Sequence, residues 1–419
     1  MPWARSTAVC LTTLGVLAVG LPTVTQGAAS AAPAGQSRIA KAADAVPGSY
    51  IVTLKDSAVR ADSAEGQAVA RKYGATVRRT YHQAVNGYSV QASGPQAERL
   101  AGDPAVASVS VNRTFHVAGT QSGPPSWGLD RIDQRKLPLD RSYAYPGSAG
   151  SGVTAYVIDT GVRITHKEFG GRAVYGYDAI DHDNTAQDGN GHGTHVAAIV
   201  AGSRYGVAKK AKIVAVRVLD DSASGTTEQI VAGIDWVTRH AVKPAVANMS
   251  LSGGADAVVD QAVRKSVASG VTYTVAAGND GEDASLHSPA RIREAITVGS
   301  VNERDARDSL SNYGASVDLF APGEFITSAG NASDTASLSD SGTSMAAPHA
   351  AGAAALYLAG HPKARPGQVA SALTASATTG VVTRAGAGSP DRLLNTGFRA
   401  EAPRCSVTRA PAAPPAPLC

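Results

Sequence analysis

The chain has 419 residues, 44 of them Gly and 22 Pro, with 43% apolar residues and a formal net charge of +4. That apolar share excludes a mostly disordered chain, and the length accommodates two or three domains. The 38 basic and 34 acidic side chains nearly cancel, and no Lys/Arg block stands out, which argues against a nucleic-acid partner. Residues 1–31 read as an export signal. Arg5 supplies positive charge, residues 9–21 are largely apolar yet too short to span a bilayer, and Ala28-Ala29-Ser30-Ala31-Ala32 offers small residues for cleavage. No later stretch has an uninterrupted apolar run of membrane-spanning length, so the mature protein is expected to be secreted, with no membrane partner.

Residues 32–118 carry a small α+β unit, with its folded part at about 46–117. Strand character falls at 49–54, 85–90 and 106–111, and helical composition at 59–73 and 95–100. The order β-α-β-β-α-β fits a ferredoxin-like layout. Gly119-Thr120-Gln121-Ser122-Gly123-Pro124-Pro125 reads as a linker. In the large unit, 119–400, short apolar strands at 153–158, 212–218, 245–250, 271–277, 295–300 and 317–320 are expected. They alternate with Ala-rich helices at 195–201, 227–239, 258–269 and 344–359. That alternation implies an α/β fold with a mostly parallel central sheet and helices on both faces. Residues 401–419, rich in Ala and Pro, read as a tail. Of the three cysteines, Cys10 lies in the export signal; Cys405 and Cys419 either close the last loop or stay unpaired.

Three segments concentrate reactive side chains. Asp159, in Val157-Ile158-Asp159-Thr160-Gly161, ends a buried strand where α/β sheets place ligands, or else caps the following turn. His192, in Asn190-Gly191-His192-Gly193-Thr194-His195, is flanked by glycines that let backbone approach a substrate. A metal reading draws on His192, His195, His166 and His182, although the spacing does not match the His-Glu-x-x-His helix. Ser344, in Gly342-Thr343-Ser344-Met345-Ala346-Ala347-Pro348-His349, opens a small-residue helix, either as a cap or as a hydroxyl beside free backbone N–H groups. Together they supply what a serine nucleophile requires: an imidazole to remove its proton and a carboxylate to fix that ring's tautomer. The chain order Asp, His, Ser, without a Gly-x-Ser-x-Gly elbow, excludes the α/β-hydrolase arrangement.

These three segments resemble the signatures of the subtilisin-like serine proteases, over about residues 126–398. Trp127-Gly128-Leu129-Asp130-Arg131-Ile132 resembles the proteinase K branch. The resemblance implies a serine endopeptidase in which Ser344 is the nucleophile, His192 the general acid–base, Asp159 its orienting group and Asn279 an oxyanion donor; His195 and His349 are structural. It implies edge segments Ser222-Ala223-Ser224 and Leu251-Ser252-Gly253 that pair with an extended polypeptide substrate. A roomy S1 pocket at Ala276, Ala277 and Gly278 would favour apolar or aromatic P1 residues. It further implies a structural calcium held by the Asp318 carboxylate and the carbonyls of Arg293 and Ala295, with Arg293 standing where the family often has Pro. The proteinase K disulfides are missing, since no Cys lies between Cys10 and Cys405. The small unit resembles the inhibitor I9-type propeptide of these zymogens. It is the expected intramolecular inhibitor, leading Asn112 to Val117 into the cleft for cleavage near Ala118 to Gln121. The mature enzyme is expected to be a monomer. Two alternatives compete: a metal-dependent hydrolase using the histidine cluster, and an inactive relative acting as a binding protein, which would need a missing triad member.

Overall fold

The computed structural model describes residue 39 and residues 45–55, 57–82, 85–113 and 119–398. The expected export signal with Cys10, residues 114–118 of the junction, and the tail with Cys405 and Cys419 lie outside the described residues.

Residues 45–113 form β1 (Ala45–Leu54), α1 (Ala64–Lys72), β2 (Thr76–Tyr81), β3 (Gly87–Gln91), α2 (Gly94–Leu100) and β4 (Val106–Arg113). Their antiparallel sheet has the order β2-β3-β1-β4, the ferredoxin-like layout. Both helices begin at serines. Ser63 accepts from the Gly66 N–H, and Ser93 forms a capping box with Gln96. Val52, Leu54, Tyr88, Val90, Ala97 and Leu100 fill the space between sheet and helices.

Residues 119–125 are not the free linker that their composition suggests. Next come β5 (Gly119–Ser122), α3 (Trp127–Asp133) and β6 (Ser142–Tyr145), and β5 pairs antiparallel with β6. Gly, Gln and Ser have little strand propensity of their own, so the partner strand decides the conformation.

The chain then runs through β7 (Thr154–Asp159), β8 (Ala173–Asp178), α4 (His192–Ala201), β9 (Lys212–Arg217) and α5 (Thr227–His240). It continues as β10 (Ala245–Met249), β11 (Gly253–Gly254), α6 (Ala257–Ala268), β12 (Thr272–Ala276), β13 (His287–Ser288), β14 (Ile296–Val301) and β15 (Leu319–Pro322). β16 (Ile326–Ala329), β17 (Ser337–Asp340), α7 (Thr343–Gly360), α8 (Pro366–Ser376), β18 (Thr378–Thr379) and β19 (Arg392–Leu393) follow. Nine strands form one sheet of order β18-β19-β15-β14-β12-β10-β7-β9-β8, parallel except for the β18–β19 pair.

The strands are buried on both faces. In β7, Ala155 and Val157 face the core that includes α4 and α7, while Tyr156 and Ile158 face the core that includes α5 and α6. This is a three-layer α/β/α arrangement, with side chains alternating across the sheet. α7 is apolar on every side, as a helix inside a core must be. Its Ala346, Ala347, Ala350, Ala351, Ala353 and Ala354 are wholly buried. Small side chains let it touch β7, β10, β12, β14, β15 and α4. At Gly352 the approach is closest: a Cβ would lie 2.5 Å from Val207 Cβ and 3.1 Å from the Val200 carbonyl oxygen. Gly352→Ala should therefore destabilise the fold by about 1–3 kcal/mol despite its higher helix propensity. Thermal unfolding measures this, and an unchanged or raised Tm would contradict such tight packing.

Candidate active site

The carboxyl ends of β12, β10 and β7, three neighbours in the sheet, carry the reactive groups. From β7 the sheet is extended one way by β9 and the other way by β10, so the strand order reverses between them. A parallel sheet opens a crevice at such a point.

Asp159 ends β7 and is fully buried. Its Oδ1 accepts from the Thr160 N–H at 2.7 Å and lies 2.7 Å from His192 Nδ1. His192 is the first residue of α4, three residues before the start suggested by composition. Gly193 makes this closeness feasible, because a Cβ there would sit 2.1 Å from the Gly161 carbonyl oxygen and 3.2 Å from Asp159 Oδ1. Burial acts to depress the His192 pKa, but the charge and hydrogen bond of Asp159 outweigh it, and the net shift is upward.

A second carboxylate, Asp188, builds the turn that presents His192. It accepts from Thr160 Oγ1, the N–H groups of Asn190, Gly191 and Thr194, and Thr194 Oγ1. Thr160 Oγ1 in turn accepts from the Gly193 N–H at 2.9 Å. Thr160 stands inside the first quoted segment and Asp188 two residues before the second, but only the folded turn gives them this task.

Ser344 occupies the first turn of α7, where backbone N–H groups lack intrahelical acceptors. Pro348, four residues on, has no N–H to offer the Ser344 carbonyl. Ser250 Oγ replaces it, donating to that carbonyl at 2.7 Å. Asn248 donates to Ser250 Oγ and accepts from Thr274 Oγ1, so the support reaches down into β10 and β12. The Ser344 hydroxyl itself donates to the Ser250 carbonyl at 3.3 Å. No bond joins it to His192, a separation compatible with a site that tightens on substrate.

Asn279 follows β12 and is clamped by Thr343. Its Oδ1 accepts from both the N–H and Oγ1 of Thr343 at 2.9 Å, which leaves the amide nitrogen to face another group. Ala276 and Ala277 are buried, and Gly278 turns with a φ of 101°. Asn312, buried and unremarked in the sequence, holds this turn. It donates to the Ala277 carbonyl and accepts from the N–H groups of Asp280 and Glu282.

The two expected edge segments differ. Ser222, Ala223 and Ser224 form a turn, not a strand; Asp220 Oδ1 accepts from the N–H groups of Ser222 and Ser224, and Ala223 is left-handed. Leu251 and Ser252 are extended connection, and Gly253 opens β11, paired on one side with Ser288 of β13. Asp318 stands apart from these groups. Its Oδ2 accepts from the Thr297 N–H, and it shares a surface pocket with Arg291, Arg293, Ala315 and Ser316.

The histidines do not converge on one ion. His195 Nε2 donates to the Ile326 carbonyl, and His166 Nε2 faces the Ala336 carbonyl while its Nδ1 accepts from the Glu168 N–H. Among the described residues no group of three or more His, Cys, Asp or Glu is arranged to hold a metal.

Burial pushes the pKa of both His195 and His349 down to about 4. Between pH 6.5 and about 4 the unfolded chain therefore binds protons that the native state refuses, and stability falls as pH drops. Each ring should cost on the order of 2–3 kcal/mol at the bottom of that window. The Tm of sulfonyl fluoride-inactivated protein should fall from pH 7 to 4.5, and less steeply in His195→Gln; equal slopes would contradict a neutral buried His195.

Comparison with known proteins agrees with this architecture. The Peptidase S8 subtilase family matches residues 150–394, and the Peptidase inhibitor I9 family matches residues 49–118. The extracellular serine proteinase of Thermus sp. (strain Rt41A) is 49% identical over 377 residues, 85% of this chain and 92% of that protein. The alkaline serine exoprotease A of Vibrio alginolyticus is 47% identical over 327 residues, 77% of this chain and 60% of that one. The crystal structure of a cold adapted subtilisin-like serine proteinase superposes with a TM-score of 0.63 at 52% identity, covering 64% of this chain and 97% of that one. The chain belongs to the subtilase family: it is a subtilisin-like serine proteinase with an inhibitor I9-type propeptide.

Proposed function

We propose that the protein is a secreted serine endopeptidase made as a zymogen, with Asp159, His192 and Ser344 as its triad. The observation that carries this reading is the 2.7 Å contact between the buried Asp159 carboxylate and His192 Nδ1. That contact fixes the tautomer with Nδ1 protonated and leaves Nε2 to take the Ser344 proton. Upward pressure on the His192 pKa makes the ring a stronger base. Attack by Ser344 Oγ on a peptide carbonyl gives an oxyanion, which the Asn279 amide and the Ser344 backbone N–H receive. His192 then returns the proton to the leaving amine, and water repeats the sequence on the acyl-enzyme.

Substrate would add as an extended strand between Ser222-Ala223-Ser224 and Leu251-Ser252-Gly253. Ala276, Ala277 and Gly278 suit broad specificity with apolar or aromatic P1 residues. Residues 46–117 would act as the inhibitor in cis until cleavage near Ala118 to Gln121. Extracellular location rests on the amino-terminal signature and on the similarity to the extracellular serine proteinase of Thermus. Among the described residues no helix is long and apolar enough to cross a membrane. Ser344→Ala should accumulate as a precursor retaining residues 46–117, read by intact mass. Processing of that purified variant on its own would falsify the assignment.

Calcium is the proposed structural ion, with Asp318 as its carboxylate ligand and the carbonyls of Arg293 and Ala295 as further donors. The donor set fits a hard cation. Burial pushes the Asp318 pKa up to about 6, a cost that a neighbouring cation would relieve. The Arg293 side chain lines the same pocket and weakens the attraction. Calcium would stabilise the fold here and take no part in catalysis. Millimolar calcium should raise the inactivation temperature of the wild type and leave Asp318→Ala unmoved; an equal response in both proteins would exclude Asp318 as a ligand.

A further inference from the structure

The β16–β17 hairpin has no part in the chemistry above, yet it leans on the helix that carries His192. The Ile326 carbonyl accepts from His195 Nε2, and Ser328 Oγ donates to the His195 carbonyl. Ile326 pairs with Asp340, and Asp340 lies four residues ahead of Ser344; Phe325 is the next residue outward on the facing strand, so the two stand at the same open end of the hairpin. Phe325 breaks two rules at once: it is 69% exposed, and its φ is +51°. A bulky residue in left-handed backbone is an outlier that surrounding bonds must enforce. Here its N–H donates to Ser341 Oγ at 2.8 Å, and the preceding Glu324 carbonyl accepts from Trp127 Nε1 at 3.0 Å. Asp340 is exposed, accepts from the Ser341 N–H, and makes no ion pair among the described residues. Its charge reaches the catalytic ring, adding to the upward pull on His192.

The direction of this rim follows from what surrounds Ser344. The hydroxyl faces the Ser250 carbonyl, and from there the chain runs into Leu251-Ser252-Gly253, one of the two segments proposed to pair with the substrate. The hairpin approaches instead from α4, alongside His192, which protonates the departing amine. We propose that Phe325 and Asp340 form a subsite for the first residues after the scissile bond and select lysine or arginine there. The aliphatic stem would lie on the Phe325 ring while the cation meets the Asp340 carboxylate. This rests on the assignment of His192 and Ser344 above.

An exposed pair of this kind is worth roughly 2–5-fold in kcat/KM, and salt should screen it. The test uses mature enzyme and internally quenched peptides that differ only in carrying Lys, Gln or Glu at P1′ or P2′. Residues 118–125 contain no charged side chain, so the precursor's own junction does not draw on the subsite. Active enzyme is counted by fluorophosphonate titration. Wild type should prefer Lys over Gln at one of the two positions at low salt, and lose the preference in 1 M NaCl. Asp340→Asn should abolish the preference, Asp340→Lys should turn it toward Glu, and Phe325→Ala should weaken it. A wild type indifferent to charge at both positions, or a preference unmoved by either Asp340 variant, would overturn the subsite. Loss of the triad reading is separable, because it shows as fluorophosphonate reaction or peptide cleavage by Ser344→Ala.

Discussion

The burial of α7 is the constraint from which the site follows. A helix can pass this close to five strands only if its surface is nearly backbone, and Ala and Gly supply that. Its first turn then stands over the carboxyl ends of β10 and β12, which sets the height of Ser344 above the sheet. Pro348 lies within the same helix and leaves the Ser344 carbonyl without its helical donor, and Ser250 takes up the vacancy. Ser344 is thus tied to the central sheet through its own backbone oxygen. The Ser344 hydroxyl in turn donates to the Ser250 carbonyl, so the two residues hold each other.

Two carboxylates divide the work on the imidazole side. Asp159 meets the ring, and its burial makes that meeting strong, since a desolvated charge has few other partners. Asp188 never touches the ring. It gathers the N–H groups of Asn190, Gly191 and Thr194, so that α4 begins at His192 with the ring aimed at β7. Asn279 is arranged on the same plan, its oxygen held by Thr343 and its amide nitrogen left for another partner. In each case a second polar group fixes one atom of the reactive side chain and thereby orients the other.

Much of this was legible from residue order. Continuous apolar runs marked the central strands to within a residue or two, because a strand buried on both faces has no polar alternation to blur it. The candidate site residues were legible because an Asp, a His and a Ser in three distinct motifs together supply what a serine nucleophile requires. Less legible were short segments whose conformation depends on a partner. Gly119–Ser122 reads as a linker and folds as a strand against β6. Ser222 to Ser224, which the family resemblance marks as pairing with substrate, folds as a turn on Asp220. The arginines of β2 hide a strand that its neighbour β3 secures.

By itself the sequence determined the layer order and the approximate bounds of the central strands, and it singled out Asp159, His192 and Ser344 as candidates. Periodicity and composition are local properties, and a residue's chemistry does not depend on its surroundings to be recognised. Tertiary structure alone decided the supporting cast: Asp188 under α4, Ser250 under Ser344, Asn312 behind the Gly278 turn, and Phe325 beside Asp340 on the rim. Those pairings join residues far apart in the chain or give ordinary side chains an unusual backbone, and nothing in the spacing of letters records which polar groups will meet once water has been excluded.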